Sequence, residues 1–130
     1  MAAYLLDTSV IIDVLNARND RASLLETLLN QGHVLACCAV NISEVYAGLR
    51  PKEERSTRAF LESLEYLDIT WDIARHAGLL KREHGRKGLT LALTDCTLAA
   101  VALGHGCTLI TDNAKDFPMK ELALHPLQQH

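Results

Sequence analysis

Acidic side chains stand at the ends of several apolar segments in this sequence of 130 residues. Asp7 ends the apolar run near the N-terminus, and Glu44 and Asp95 stand near the starts of two helical patterns further on. Asp112 and Asp116 follow the last strongly apolar run. Carboxylates that converge repel one another unless a cation lies between them. Because no Cys or His accompanies them at ligand spacing, the expected ion is Mg²⁺ or Mn²⁺ rather than zinc.

Each of these acids also has an ordinary structural explanation. Asp7 could cap the helix that follows it through an Asx turn. Asn41 and Glu44 fit a capping box, in which the glutamate reaches back to a backbone N–H. Asp95 could complement the dipole of a first helical turn. Serine or asparagine caps a helix without any net charge, so the recurrence of acids at such positions favours a cation site.

The elements that would position these acids follow from hydrophobic periodicity. Short apolar runs alternate with helical patterns, which predicts an α/β fold around a mainly parallel sheet of four to five strands. The predicted strands cover residues 3–7, 34–40, 66–70 and 107–111, with a short fifth strand near 122–124. The predicted helices cover residues 9–16, 21–31, 42–49, 52–65, 71–83 and 96–103. In such folds the carboxyl ends of the strands line the ligand-binding crevice, which is where most of the acids fall.

Composition limits the class of protein. The length and the hydrophobic content of 48% are typical of one globular domain, predicted here to span residues 1–130. The cysteines show no disulfide pattern, and neither a signal peptide nor an apolar run of about 20 residues is found. We therefore expect a cytoplasmic protein that does not enter a membrane. The net charge of -3 argues against a general nucleic-acid binder, so any polyanionic substrate needs cations placed locally.

Four segments carry a resemblance to a known family. They are YLLDTSVIID (4–13), NISEVYAGL (41–49), LTDCTLAAVALGHG (93–106) and TLITDNAKDF (108–117). In this order and spacing they resemble the PIN-domain ribonucleases, specifically the VapC-like toxins of toxin–antitoxin systems, over essentially the whole chain. The last two segments are the most specific. The resemblance implies a three-layer α/β/α sandwich built on a parallel sheet.

The resemblance also implies roles for individual residues. Four acids would hold Mg²⁺ or Mn²⁺ and form the catalytic site: Asp7, Glu44, Asp95 and Asp116. Four further side chains would support them through hydrogen bonds: Thr8, Ser9, Thr111 and Asn113. Asp112 fills a variable position of the family motif, so the choice between Asp112 and Asp116 as fourth acid stays open. We expect the helix after Asp7 to help keep that carboxylate ionised, and the implied reaction is RNA hydrolysis to a 5′-phosphate and a 3′-hydroxyl.

Two basic groups are candidates for contact with RNA. The first lies on the approach to Asp95 or beside Asp116 and comprises Lys81, Arg82, Arg86, Lys87 and Lys115. Its loop leads into an acid of the predicted site, so phosphate contact and a plain solvated surface are both open for it. The second group comprises Arg50, Lys52, Arg55 and Arg58, and a solvated helix face explains it better.

The expected partners follow from the same resemblance. They are an RNA substrate and a small cognate antitoxin, in a homodimer or in a heterotetramer or larger assembly with the antitoxin. No direct DNA binding is expected. Leu24/Leu28 and Val45/Leu49 are candidate walls of an antitoxin groove, although core packing explains them as well. The alternative function is a catalytically silent PIN-like module that binds RNA or protein.

Overall fold

The structure is a computed structural model in which residues 2–127 are described. Met1 and residues 128–130, which the predicted domain includes, lie outside the described residues. Within residues 2–127 the strands are β1 (Ala3–Leu6), β2 (Val34–Cys38), β3 (Glu65–Leu67), β4 (Thr108–Thr111) and β5 (Leu124–Pro126). The α-helices of the same range are α1 (Thr8–Leu15), α2 (Arg21–Asn30), α3 (Ala39–Ala47), α4 (Glu54–Glu62), α5 (Trp71–Arg86) and α6 (Leu93–His105). Short 3₁₀ turns cover Pro51–Glu53 and Ala114–Asp116.

The strands form one parallel sheet in the order β3-β2-β1-β4-β5. The chain runs outward from β1 to β2 and β3, then crosses back to place β4 on the other side of β1. Such a change of direction opens a crevice at the carboxyl ends of the two strands involved, here β1 and β4. The backbone closes the base of this crevice, because the Asp7 N–H donates to the Ile110 carbonyl at 2.9 Å.

Helices cover both faces of the sheet. Leu5 and Leu6 are both fully buried, and their side chains point to opposite faces because successive residues of a strand alternate. Leu5 packs in the hydrophobic cluster that α5 and α6 form on one face. Leu6 packs in the cluster of α1 to α4 on the other face. The predicted three-layer sandwich with a parallel sheet is confirmed. None of the helices within residues 2–127 is long and apolar enough to cross a bilayer.

One difference from the predicted elements lies where β2 passes into α3. The prediction extended the strand to residue 40, but α3 begins at Ala39. The Asn41 side-chain oxygen accepts a hydrogen bond from the Cys38 N–H at 2.9 Å and so caps the start of α3. The predicted capping box between Asn41 and Glu44 is therefore wrong, and Glu44 lies within α3 rather than at its start. The apolar residues continue through this boundary, so periodicity alone could not locate it.

Other boundaries also differ from the predicted ones: β3 ends at Leu67 rather than at residue 70, α4 covers Glu54–Glu62 rather than 52–65, and α6 begins at Leu93 rather than at residue 96. α5 continues to Arg86, so the first residues of the predicted basic loop are helical. β5 is formed by Leu124–Pro126, slightly later than predicted, while Leu122 packs in the core.

Candidate active site

Asp7 stands directly after the central strand β1, at the N-cap position of α1. Its side chain makes no capping hydrogen bond to that helix, so its explanation as a helix cap is wrong. Instead, Oδ2 accepts a hydrogen bond of 2.7 Å from the hydroxyl of Thr111, at the end of β4. Asp7 is 7% exposed and Thr111 is fully buried. The carboxylate is thus fixed across the two strands that form the crevice.

Burial raises the pKa of Asp7 above its usual value. Hydrogen bonds from the Thr111 hydroxyl and the Thr8 backbone lower this pKa, and the charges of Asp112 and Glu44 raise it. The expected contribution of the helix N-terminus is present, since the Thr8 N–H at the start of α1 favours the ionised form, but the net direction of the pKa is upward. Loss of water around the carboxylate outweighs the favourable hydrogen bonds. A carboxylate in this position gains strongly from a bound cation.

A chain of hydrogen bonds leads from the sheet to Glu44. The amide of Asn41, which is fully buried, donates to the Leu6 carbonyl and to the Thr8 hydroxyl, both at 3.0 Å. The Thr8 hydroxyl in turn donates to Glu44 Oε1 at 2.7 Å. The sequence indicates only a capping role for Asn41 and does not predict these hydrogen bonds. The signal was weak, because only the folded chain brings the end of β1 against α3.

Asp95 lies half-buried in the first turn of α6. α6 is followed by the left-handed turn at Gly106 and then by β4, so α6 runs back along the sheet and its N-terminus lies at the carboxyl end of β4. Burial raises the pKa of Asp95 to about 6, and the charges of Asp7, Asp116 and Glu44 contribute to the increase. The structure therefore brings four of the predicted acids within electrostatic reach of one another.

Asp112 has different surroundings from the other acids. Its Oδ1 accepts hydrogen bonds from the Ser9 hydroxyl at 2.9 Å and from the Asn113 side chain at 3.0 Å. Its Oδ2 lies 3.7 Å from a guanidinium nitrogen of Arg21. The sequence does not predict a role for Arg21, which has no motif around it and lies far from Asp112 along the chain. Asp112 thus has a cationic partner within the protein.

The donor chemistry of the site fits a hard divalent cation. The grouped side chains offer carboxylate oxygens, and the pKa values of Asp7 and Asp95 are raised by burial and by neighbouring acids. Such oxygen donors suit Mg²⁺ or Mn²⁺. Within residues 2–127 no three acidic, cysteine or histidine side chains lie close enough together to enclose an ion. The acids therefore line a shared space and do not form a closed coordination shell.

The predicted RNA-contacting cations divide into two kinds. The ammonium of Lys81 donates to the Leu91 carbonyl at 2.5 Å, so it ties down the segment that leads into α6. Arg82 and Arg86 are exposed and pair with Glu83 at 3.6 and 3.3 Å. Lys87 and Lys115 are also exposed. Exposed pairs of this kind are weak and leave the cations available to a phosphate.

The second basic group and the predicted groove walls have mainly structural surroundings. Arg50 and Arg58 are exposed and pair with Glu53 and Glu62, as expected of a solvated helix face. Leu28 and Val45 are buried in the core, which is the alternative that the sequence left open. A different apolar groove of about 700 Å³ lies beside them; its lining includes Ile42, Tyr46, Leu61, Leu64 and Tyr66.

Known proteins are similar to this chain in sequence and in fold. The PIN domain family matches residues 4–122. Ribonuclease VapC19 of Mycobacterium tuberculosis is 32% identical over 115 residues, which cover 88% of this chain and 92% of the relative. A chain of the VapBC2 structure from Rickettsia felis, bound to a DNA fragment from its promoter, has 27% identity and a TM-score of 0.83, covering 95% of this chain and 98% of that one.

A toxin–antitoxin complex from Klebsiella pneumoniae also matches, with 28% identity and a TM-score of 0.78 over 97% of this chain and 99% of that one. The family that the four sequence segments predicted is confirmed. The match along nearly the whole sequence agrees with the sheet order and with the acids at its carboxyl edge, and this chain belongs to the PIN-domain family.

Proposed function

We propose that this protein is a metal-dependent endoribonuclease and the toxin of a VapBC-like toxin–antitoxin system. The observation that carries the proposal is the gathering of Asp7, Glu44, Asp95 and Asp116 around one crevice, where the pKa of Asp95 rises to about 6. The relatives named as VapC ribonucleases and the VapBC and toxin–antitoxin complexes support the activity and the partner. An RNA phosphodiester is the substrate.

The four acids would hold the cation, with Mg²⁺ or Mn²⁺ as the proposed ion. When bound, such an ion neutralises the phosphodiester, activates a water and stabilises the departing oxygen. The all-oxygen donor set supports these ions over zinc. Asp112 is assigned a supporting role, because Arg21 already balances its charge.

The protein's own contribution is to hold the acids rigidly before the substrate arrives. Thr111 fixes the plane of the Asp7 carboxylate, and Thr8 fixes that of Glu44. The buried Asn41 amide holds Thr8 in turn. Preorganised carboxylates of this kind place a bound ion without further rearrangement. The exposed Arg82, Arg86, Lys87 and Lys115 would contact RNA phosphates on either side of the cleavage point.

Cleavage of RNA by the purified protein tests this proposal. We expect cleavage with Mg²⁺ or Mn²⁺, complete inhibition by EDTA, recovery on adding back the ion, and product fragments with 5′-phosphate ends. RNA that stays intact while it binds the protein would contradict the proposal and support a catalytically silent binding module. Cleavage that persists in EDTA would contradict the metal dependence.

Expression in cells tests the proposed biological role. The protein alone should arrest growth, and co-expression with its antitoxin should yield a stable complex, whose mass would also reveal the expected homodimer or heterotetramer. We expect the toxin itself to make no direct contact with DNA. Harmless expression of the folded, unaltered protein would contradict the toxin assignment.

A further inference from the structure

A buried ion bridge lies behind the acidic crevice. Arg21, the first residue of α2, is 5% exposed. Its guanidinium lies 3.7 Å from Oδ2 of Asp13 and 3.7 Å from Oδ2 of Asp112. The two acidic side chains are only 14% and 11% exposed, respectively. We call these three residues the Arg21 bridge. Burying three charges is costly, so the arrangement needs a reason beyond stability.

Hydrogen bonds connect this bridge to the proposed metal site. Asp112 Oδ1 accepts from the Ser9 hydroxyl at 2.9 Å and from the Asn113 side chain at 3.0 Å. The Asn113 N–H donates to Thr111 Oγ1 at 2.9 Å, and that hydroxyl donates to Asp7 at 2.7 Å. The bridge therefore anchors both the start of α1 and the turn after β4, which are the two segments that hold Asp7.

We propose that Arg21 is a positioning residue that holds Asp112 back from the bound cation, so that Asp116 and not Asp112 completes the ligand set. The inference rests on the proposed metal-dependent activity. The electrostatic neighbours agree with it. Asp116 is among the acids that raise the pKa of Asp95, and Asp112 is not among them. Asp112 nevertheless lies close enough to act on Asp7, so a change of its orientation would place a further carboxylate at the cation.

This role predicts an effect of unusual sign. Without Arg21, the Asp112 carboxylate loses a cationic partner and becomes available to the metal site. A divalent cation should then bind more tightly, because the site gains negative charge and one more ligand oxygen. Cleavage should become slower, because the ion is drawn away from its productive position. A merely structural role predicts the opposite change in metal binding, since a loosened site binds an ion less tightly.

The test compares Arg21→Met, which keeps the length of the side chain, with the double variant Arg21→Met/Asp112→Asn. Mn²⁺ binding to metal-free protein is measured by calorimetry, and kcat and KM are measured on one RNA. For Arg21→Met we expect Mn²⁺ to bind at least about threefold more tightly and kcat to fall about tenfold, with KM within about twofold. The double variant should return both quantities to within about twofold of the unaltered protein.

Arg75→Met is the matched control, because Arg75 is exposed on α5 across the sheet. It should leave Mn²⁺ affinity and cleavage unchanged. Weaker or unchanged Mn²⁺ binding by Arg21→Met would overturn the inference and leave the proposed function intact. A double variant whose Mn²⁺ affinity and kcat equal those of Arg21→Met would do the same. An unaltered protein that neither binds Mn²⁺ nor cuts RNA would contradict the proposed function and this inference with it.

If Arg21→Met does not fold, single substitutions of the two acids give the answer. The inference expects Asp112→Asn to keep Mn²⁺ affinity within about twofold, and Asp116→Asn to weaken it about tenfold. A tenfold loss of Mn²⁺ affinity in Asp112→Asn would overturn the inference.

Discussion

Two groups of acids in this protein lie close together and differ in how their charge is balanced. Asp13 and Asp112 share the guanidinium of Arg21, and all three side chains are largely buried. Asp95 has the opposite surroundings, since every charge that contributes to its pKa is negative. A balanced group can hold segments together without any ligand. An unbalanced group costs stability, and such a cost is typical of a site that must bind something.

Charge balance also distinguishes two acids that the sequence motif does not distinguish. Asp112 and Asp116 lie in the same short turn, and both are acidic. In the folded protein Asp112 differs from Asp116 because it lies beside Arg21 and accepts hydrogen bonds from Ser9 and Asn113. If charge balance decides which acid binds the cation, substitutions of balanced and unbalanced acids should have different effects.

The largest effect is expected at Asp7. Asp7→Asn should lower RNA cleavage at least about 100-fold, equivalent to about 2.7 kcal/mol in the barrier, because the cation loses a central carboxylate. Initial rates on one RNA at saturating Mn²⁺ measure the effect. Glu26→Gln, which removes an exposed acid of α2, is the matched control and should cut at the normal rate. An Asp7→Asn protein with full activity would rule out the metal mechanism.

The next largest effect is a difference in activity between variants of the two acids that follow β4. Asp116→Asn should lose at least about tenfold more activity than Asp112→Asn, a difference of roughly 1.4 kcal/mol in the barrier. Both variants are assayed well below their melting temperatures, because Asp112→Asn also weakens the Arg21 bridge. If Asp112→Asn is inactive while Asp116→Asn still cuts RNA, the balanced acid is the ligand and the assignment is wrong.

A smaller effect is expected at the hydroxyl that holds Asp7. Thr111→Val removes a hydrogen bond that lowers the pKa of Asp7, so that pKa should rise further. Cleavage should fall about fivefold at pH 7.5 and by more at pH 6, where protons compete better with the cation. Thr111→Ser keeps the hydroxyl and should retain most activity. A pH profile identical to that of the unaltered protein would contradict this role.

The smallest effect is a change in stability with opposite signs for the two groups. The pKa of Asp95 is raised from 3.8 to about 6, so the folded protein binds the extra proton and loses stability as the pH rises through this range. Asp95→Asn removes that penalty. It should raise the melting temperature of the metal-free protein by roughly 2–5 °C at pH 7.5 and by little near pH 4.

Asp112→Asn should instead lower the melting temperature at pH 7.5, because it leaves the buried Arg21 with fewer negative partners. Differential scanning calorimetry in EDTA measures both variants. Stabilisation by Asp112→Asn, or destabilisation by Asp95→Asn, would contradict the distinction between balanced and unbalanced acids.

The parts that sequence predicted well are those with local causes. Asp7 follows a short apolar run, and Asp95 opens a long apolar helix, so the neighbouring residues suffice to place both acids at the ends of elements. The parallel sheet follows from the alternation of such elements. The start of α3 was placed too late because the apolar run continues past it to Val40. Asn41, whose side chain caps the helix, is the third residue of α3 and does not precede it.

The features that sequence did not reveal depend on contacts between distant segments. Arg21 meets Asp112 only after β4 has paired with β1, and no pattern near either residue points to the other. The direction of the pKa shift of Asp7 likewise results from a balance, because burial raises the pKa and hydrogen bonds lower it. Which effect is larger depends on how completely the folded chain excludes water. Residue types indicate which groups can react, but not how much solvent surrounds them.

The order of the strands has a consequence for protein synthesis. Asp7 leaves the ribosome 104 residues before Thr111, its side-chain partner, and also well before Ile110, its backbone partner. β1 lies between β2 and β4, so the sheet cannot close around Asp7 until β4 is available. Strands that are distant along the chain also pair slowly during folding. A nascent chain therefore lacks the Asp7–Thr111 contact until β4 has been synthesised, and the proposed nuclease site stays incomplete until then.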